Sequence, residues 1–190
     1  MEQMYPAFVP FRKIPRLTRE CSVTEKLDGT NGVLHVTGPG CLCGDHDPRG
    51  EVLAGSRSRW LTLSQDNHGF AAWVDAHKEE LLDLGPGYHH GEWWGGSIQG
   101  RYRVYPKQFS LFNVTRWSAQ RPACCGLVPV LYEGVFDTSV IEEIVALLRT
   151  NGSVAAPGCK AEGVVIFHKA SGTMFKKLCE HDEVPKGRAE

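Results

Sequence analysis

The chain has 190 residues, with 21 Lys and Arg against 22 Asp and Glu and a net charge of −1. That length suits one domain, and 42% apolar residues can fill a real core. The near-neutral balance excludes a protein held to nucleic acid by bulk charge, so any such contact needs a local cluster of Lys and Arg. No apolar run reaches the roughly 18 residues needed to span a bilayer. The first residues, Met-Glu-Gln-Met-Tyr-Pro, lack the basic patch and apolar stretch of a secretory signal. The expectation is a soluble, cytoplasmic protein without membrane contact.

In chain order, the first twenty residues carry Pro6, Pro10 and Pro15 and read as extended and irregular. Residues 21–37 read as strand, tight turn, strand, with Asp28-Gly29-Thr30-Asn31-Gly32 as the turn. Residues 38–50 form a Gly/Pro/Asp loop, and 51–53 begin a short strand running into Ala54-Gly55-Ser56-Arg57. A helix is predicted over 69–84, with Asp66 or Asn67 as its N-cap and Gly85-Pro86-Gly87 as its stop. Phe70, Trp73, Val74, His77, Leu81 and Leu84 follow its 3.6-residue period. A second helix is predicted over 140–150, opened by a capping box of Ser139 and Glu142 and closed by Asn151-Gly152. Residues 88–94, 109–115, 130–136, 162–168 and 173–178 read as short strands. Strands outnumber helices and most connections look antiparallel, an α+β layout of antiparallel sheets flanked by a few helices.

Seven cysteines, an odd number, argue against a disulfide framework. Cys41, Cys43, His46 and one later cysteine suggest a zinc site, but C-x-C is poor spacing for a structural zinc knuckle. They read better as free loop or core thiols.

The sharpest segment is Glu25-Lys26-Leu27-Asp28-Gly29-Thr30-Asn31-Gly32. A lysine ends a strand directly before a glycine turn, and glycines let a backbone approach a ligand closely. By itself this also fits a surface lysine beside an ordinary Asp-Gly hairpin. Further segments follow in order: Ser56-Arg57-Ser58-Arg59, Gly91-Glu92-Trp93-Trp94, Phe109-Ser110-Leu111-Phe112-Asn113, Glu162-Gly163-Val164-Val165-Ile166 and Phe175-Lys176-Lys177-Leu178. Together they resemble the motif series of the covalent nucleotidyltransferases, which comprise ATP-dependent DNA ligases, RNA ligases and mRNA capping enzymes. The form Glu-Lys-x-Asp-Gly-Thr-Asn is specifically similar to the RNA ligases.

The resemblance implies the nucleotidyltransferase (ligase adenylation) fold and an ATP-dependent RNA ligase acting in RNA repair, in a bacterial or phage-infected cell. Lys26 would become covalently adenylylated, leaving AMP on the lysine. Glu25 would flank the adenine pocket through backbone groups, and Phe112 would stack on the adenine. Asn31 and Arg57 would approach phosphates, Arg57 at the 5′-phosphate end, while Glu92 would hydrogen-bond the ribose. Glu162 would lie near the lysine and hold Mg²⁺ or Mn²⁺, and Lys176 would contact the α-phosphate. Lysines, arginines and the divalent ion would offset the charge of the transition state.

Phe112-Asn113 stands where the family has an aromatic followed by Asp. Lys176 and Lys177 are adjacent, so in a strand they face opposite sides, and Lys176 is the one expected at the nucleotide with Lys177 beside it as a second contact. Only residues 178–190 follow, so the expectation is a single adenylation domain over 1–190 without an OB or helical C-terminal domain.

The partners implied are 5′-phosphate and 3′-hydroxyl RNA ends, with a partner protein as one source of further RNA binding. Arg57, Arg59, Arg101, Arg103, Lys107 and Arg116 are the cations for a local RNA face. Arg101-Tyr102-Arg103-Val104-Tyr105 interleaves charge and aromatics in a way that suits single strands, though it also fits a solvated loop. Trp93 and Trp94 fit either base stacking or the core. Other readings are a DNA nick ligase, a GTP-dependent guanylyltransferase, or a nucleotide- or RNA-end-binding module without full sealing activity.

Overall fold

The computed structural model describes residues 7–38, 50–96, 98–117 and 120–183. Nine strands form two sheets, and the first two strands show how the chain divides between them. Strand β1 (Glu20–Lys26) joins β7 (Val130–Val135), β8 (Gly163–His168) and β9 (Thr173–Leu178) in the order β7-β1-β8-β9. Strand β2 (Gly29–Val36) joins β3 (Val52–Gly55), β4 (Gly87–Trp94), β5 (Gln108–Leu111) and β6 (Cys125–Leu127) in the order β3-β2-β4-β5-β6. Residues 21–37 are therefore not a hairpin: Leu27 and Asp28 carry the chain from one sheet to the other.

The predicted turn fails for a local reason. Primed hairpin turns need positive φ, and no described residue from 27 to 32 has it. Gly29, Thr30, Asn31 and Gly32 instead lie inside β2. Their glycines serve packing. A Cβ at Gly29 would collide with the Trp93 carbonyl and the Trp94 side chain, and one at Gly32 would sit 2.7 Å from the Phe70 ring.

Each sheet buries one face against helices. Alternation along β2, β4 and β5 turns Leu34, Val36, Trp93, Phe109 and Leu111 toward α1 (Phe70–Ala76) and α2 (Lys78–Leu81), where they meet Phe70, Val74 and Leu81. In the other sheet Cys21, Val23, Val164 and Ile166 pack on α3 (Thr138–Asn151) through Ile141, Val145 and Leu148. A third cluster of Leu27, Trp94, Tyr102, Val128 and Ala156 forms beside the crossing point.

The helices differ from expectation in their details. The stretch 69–84 is broken at His77 (φ −116°, ψ 14°) into α1, α2 and a 3₁₀ turn over Leu82–Leu84. His77 Nδ1 shares a 2.8 Å hydrogen bond with the Trp73 carbonyl, which competes with the helical ladder. Gly69 (φ 84°) holds the N-cap position, yet the Asp66 carboxylate accepts from Ala71 N and Ala72 N at 2.7 and 3.2 Å. In α3 the N-cap is Asp137, in extended conformation, accepting from Ser139 N at 2.8 Å. The expected Ser139–Glu142 box does not form, because Asp137 takes the N-cap and places Ser139 inside the first turn, and Glu142 pairs with Lys177 at 2.8 Å.

The predicted strand over 109–115 ends at Leu111, where Asn113 Oδ1 accepts from Arg116 N and starts a turn. Strand β6 was not predicted, and it pairs with β5 in parallel. No helix among the described residues is long and apolar enough to cross a membrane.

Candidate active site

Strand parity decides what β1 presents. Cys21, Val23 and Glu25 point to the α3 side, so Ser22, Thr24 and Lys26 point the other way. Lys26, the last residue of β1, stands opposite Gly163, and its Nζ donates to Glu162 Oε2 at 2.6 Å. Glu162 is buried and the lysine partly so. Two residues on, Asp28 pairs with Arg101 Nε at 3.0 Å.

The second sheet contributes a polar chain. Asn31 on β2 and Glu92 on β4 are directly opposed, and Asn31 Nδ2 donates to Glu92 Oε2 at 3.3 Å. Arg57 Nε in turn donates to Asn31 Oδ1 at 2.8 Å. Glu92 is only 8% exposed. Burial pushes its carboxyl up to about 7; Lys26 and a backbone hydrogen bond from Gly29 pull it down, while Glu162 and Asp28 raise it further.

The sign of that shift predicts a pH effect. The folded carboxyl binds its proton more tightly than the unfolded one, whose value is about 4.5. The favourable contribution is fully present below about 4.5 and is lost as pH rises through about 7, up to about 3 kcal/mol. Glu92→Gln should therefore flatten the loss of stability over that window, read by urea unfolding at several pH values. An unchanged slope would mean that Glu92 is ionised throughout.

The two adjacent lysines separate as parity requires. Lys176 opposes Val165, which opposes Thr24, so it shares the face of Lys26. Lys177 lies on the α3 side, with Glu142 Oε1 at 2.8 Å and Asp182 Oδ2 at 3.8 Å, and does not reach the Lys26 face where it was expected to touch the nucleotide. Lys177→Ala should cost at most about 1 kcal/mol of stability. It should leave any reaction at Lys26 within about twofold, whereas Lys176→Ala should slow it at least about tenfold, as loss of a charged phosphate contact would. Equal effects on rate would overturn this division.

Glu25 is likewise turned away from Lys26. Its carboxylate is 1% exposed and accepts from Val154 N (2.9 Å), Ala155 N (3.0 Å) and the Tyr102 hydroxyl (3.3 Å). Phe112 lies just past β5, its N–H donating to the His90 carbonyl at 2.9 Å, so the register continues it opposite His90 on the side of Glu92.

The stretch at 101–105 splits its two rings, with Tyr105 70% exposed and Tyr102 withdrawn into the core. Tyr102 is fully buried, and Arg101 serves Asp28. Lys107, Arg116 and Arg59 donate to the carbonyls of His68, Leu84 and Gln65. Trp93 and Trp94 are both core residues. Cys41, Cys43 and His46 lie outside the described residues. Burial pushes the Cys124 thiol up to about 11 and Cys125 further in the same direction, so both stay protonated at neutral pH.

The sequence profile of the RNA ligase family matches residues 19–178, from the start of β1 to the end of β9. The chain belongs to the RNA ligase family. No curated protein sequence matched. Among solved structures, the fold is similar to a Naegleria gruberi RNA ligase variant with ATP and Mn, with TM-score 0.58, 20% identity, and coverage of 92% of this chain and 57% of that one. A variant of the same ligase with AMP and Mn matches with TM-score 0.57, 19% identity and the same coverage. A third, an apo variant, has TM-score 0.57 and 20% identity. The chain thus spans a little over half the length of these ligases, and the likeness establishes the adenylation fold.

Membership sets the geometry in order. The family segments supply the contacts at the junction of the two sheets, Lys26 with Glu162, Asn31 with Glu92 and Arg57 with Asn31, and Lys176 lies on the Lys26 face of its sheet.

Proposed function

We propose that this protein is an ATP-dependent RNA ligase that forms lysyl-AMP on Lys26, passes the AMP to a 5′-phosphate RNA end and joins that end to a 3′-hydroxyl. The observation that carries this reading is the 2.6 Å contact of Lys26 Nζ with the buried Glu162 carboxylate, facing the Arg57–Asn31–Glu92 chain.

A lysine amine attacks phosphorus only after losing a proton. Glu162 is within hydrogen-bond reach to take it. Lys26 Nζ then bonds to the α-phosphorus of ATP, the bond from that phosphorus to the bridging oxygen breaks, and pyrophosphate leaves. Lys176, on the same face, meets the charge on the α-phosphate. Glu92, near half-protonated at neutral pH, can donate to or accept from ribose hydroxyls. In the second step a 5′-phosphate oxygen, held by Arg57, attacks the same phosphorus and releases Lys26. In the third the 3′-hydroxyl loses its proton to solvent and attacks the RNA phosphorus, the phosphoanhydride bond breaks and AMP departs.

The donors suit Mg²⁺ or Mn²⁺. Among the described residues no group of three His, Cys, Asp or Glu side chains forms a metal cage. Mg²⁺ needs none, since it keeps several waters and binds through one or two carboxylates plus substrate phosphates. Glu162 would be its protein ligand, and the ion would offset charge on the leaving pyrophosphate.

Intact mass after incubation with ATP and Mg²⁺ should show one added AMP, and peptide mapping should place it on Lys26. Lys26→Ala should take none. Replacing ATP with GTP, and RNA ends with DNA ends, tests the nucleotide and the polymer. A wild-type protein that never acquires AMP would overturn the reading.

A further inference from the structure

Four aromatic side chains on the site face of the β2–β4 sheet have no part in the chemistry above. The polar chain ends at Asn31 and Glu92. Moving outward along the same face, β2 presents Val33 and His35 while β4 presents His90 and Tyr88. Trp60 lies over Gly55 of β3, where an added Cβ would sit 3.2 Å from its ring. Gly55 opposes Val33, so the indole is on this face too.

The four rings form one run. His35 and Tyr88 are 4.3 Å apart between centroids, and His35 and Trp60 6.1 Å. Trp60 and Tyr88 are 6.3 Å apart and inclined by only 23°, while Tyr88 and His90 are 6.3 Å apart and inclined by 13°. Tyr88 is 58% exposed and Trp60 49%. The buried clusters behind both sheets are built without any of the four. Trp60, Tyr88 and His90 are held nearly parallel and exposed, with His35 half-buried and tilted by 32° to Tyr88 and 49° to Trp60 between them. They supply flat apolar faces that the fold does not consume.

We propose that His35, Trp60, Tyr88 and His90 form a stacking platform for a single-stranded RNA segment adjoining the end that is joined. Charge and continuity favour this occupant. Trp60 sits on the loop that carries Arg57 and Arg59, and Arg57 is tied to Asn31 at the inner edge of the run. A phosphate held at Arg57 would leave the neighbouring bases over these rings. From Asn31 to His35 the face extends about 13 Å, at ~3.3 Å per residue. Aromatic sheet faces of that size stack two or three bases, and stacking tolerates any sequence. Of the two rings in Arg101–Tyr105, by contrast, only Tyr105 is exposed, and Tyr102 is buried.

This inference rests on the ligase reading for the end that lies at Arg57, but its test is separate. A short 5′-phosphorylated single-stranded RNA with a 3′ fluorophore is titrated with the full chain, without ATP, and anisotropy is read. Trp60→Ala and Tyr88→Ala should each weaken binding about 5- to 100-fold. Tyr88→Phe should restore it, because only the ring is needed. AMP uptake by each variant, followed by mass, should match the wild type, which also shows that the variants fold.

If the wild type binds RNA but takes no AMP, the ligase reading fails and the platform stands. If AMP uptake is intact and both alanine variants bind RNA as tightly as wild type, the platform is overturned. Loss of self-association in Trp60→Ala with unchanged RNA affinity would assign the face to a second copy and overturn it equally, as would wild-type protein that does not bind the RNA.

Discussion

Glu162→Gln should slow lysyl-AMP formation by about 10²- to 10⁴-fold, the usual contribution of a positioned proton acceptor. The amide keeps the size of the side chain but cannot take the Lys26 proton across the 2.6 Å contact. The residual rate should rise with pH, because solvent must then deprotonate the amine. Single-turnover AMP transfer from labelled ATP measures both. Added Mn²⁺ separates two roles. If Glu162 acts on the proton, excess metal leaves the defect in place. If its only work is to hold the ion, high Mn²⁺ restores the rate and the acceptor role is lost. Lys26→Ala sets the floor, with no adduct at any pH.

Glu25→Ala should be the most destabilising single change at the site, costing about 3–5 kcal/mol. Three donors converge on this carboxylate, from Val154 N, Ala155 N and the Tyr102 hydroxyl. Truncation takes the acceptor from the part-buried Val154 and Ala155 N–H groups and leaves the buried Tyr102 hydroxyl with Ser153 as its remaining partner. Tyr102→Phe removes one donor with its hydrogen, so it should cost only about 1 kcal/mol. Urea unfolding of the two variants reads the difference directly, and a cost below about 1 kcal/mol for Glu25→Ala would show that water replaces the carboxylate. Glu25, the residue before Lys26, thus works as an anchor: it ties the end of β1 to Val154 and Ala155, a few positions before Glu162. Its effect on Lys26 is one of position, exerted from the opposite face of the sheet.

Much of this site is legible in one dimension. The lysine ending a strand, the arginine after the third strand, and the carboxylates before and within later strands occur in an order that the fold brings together. Strand β9 was read with its bounds unchanged. Period-two alternation already separated Lys176 from Lys177, and the register with Val165 and Thr24 then decided which of them shares the face of Lys26. The same alternation turns the Glu25 side chain away from Lys26, which leaves only its backbone on the side expected of the adenine pocket.

Local chemistry was also enough to mark both helices. It misplaced their caps: Gly69 holds the N-cap of α1 while Asp66 accepts from Ala71 N and Ala72 N, and Asp137 rather than Ser139 caps α3. Which side chain wins depends on backbone angles that tertiary packing imposes.

What the sequence by itself determined is the set of residues that the proposed chemistry uses, Lys26, Glu92, Glu162, Arg57 and Asn31, and an α+β chain to carry them. What only the tertiary structure decided is pairing. An Asp-Gly step between two strands is the local signature of a hairpin, yet β1 and β2 join different sheets, because each gains more by burying its own apolar face, one on α3 and the other on α1 and α2. That choice opens the junction where Lys26 meets Glu162 and faces the Arg57–Asn31–Glu92 chain. It also lines up His35, Trp60, Tyr88 and His90 from three separate segments. None of their spacings in the sequence signals a shared surface, since strand registry between distant segments is set by the whole sheet and not by any one of them.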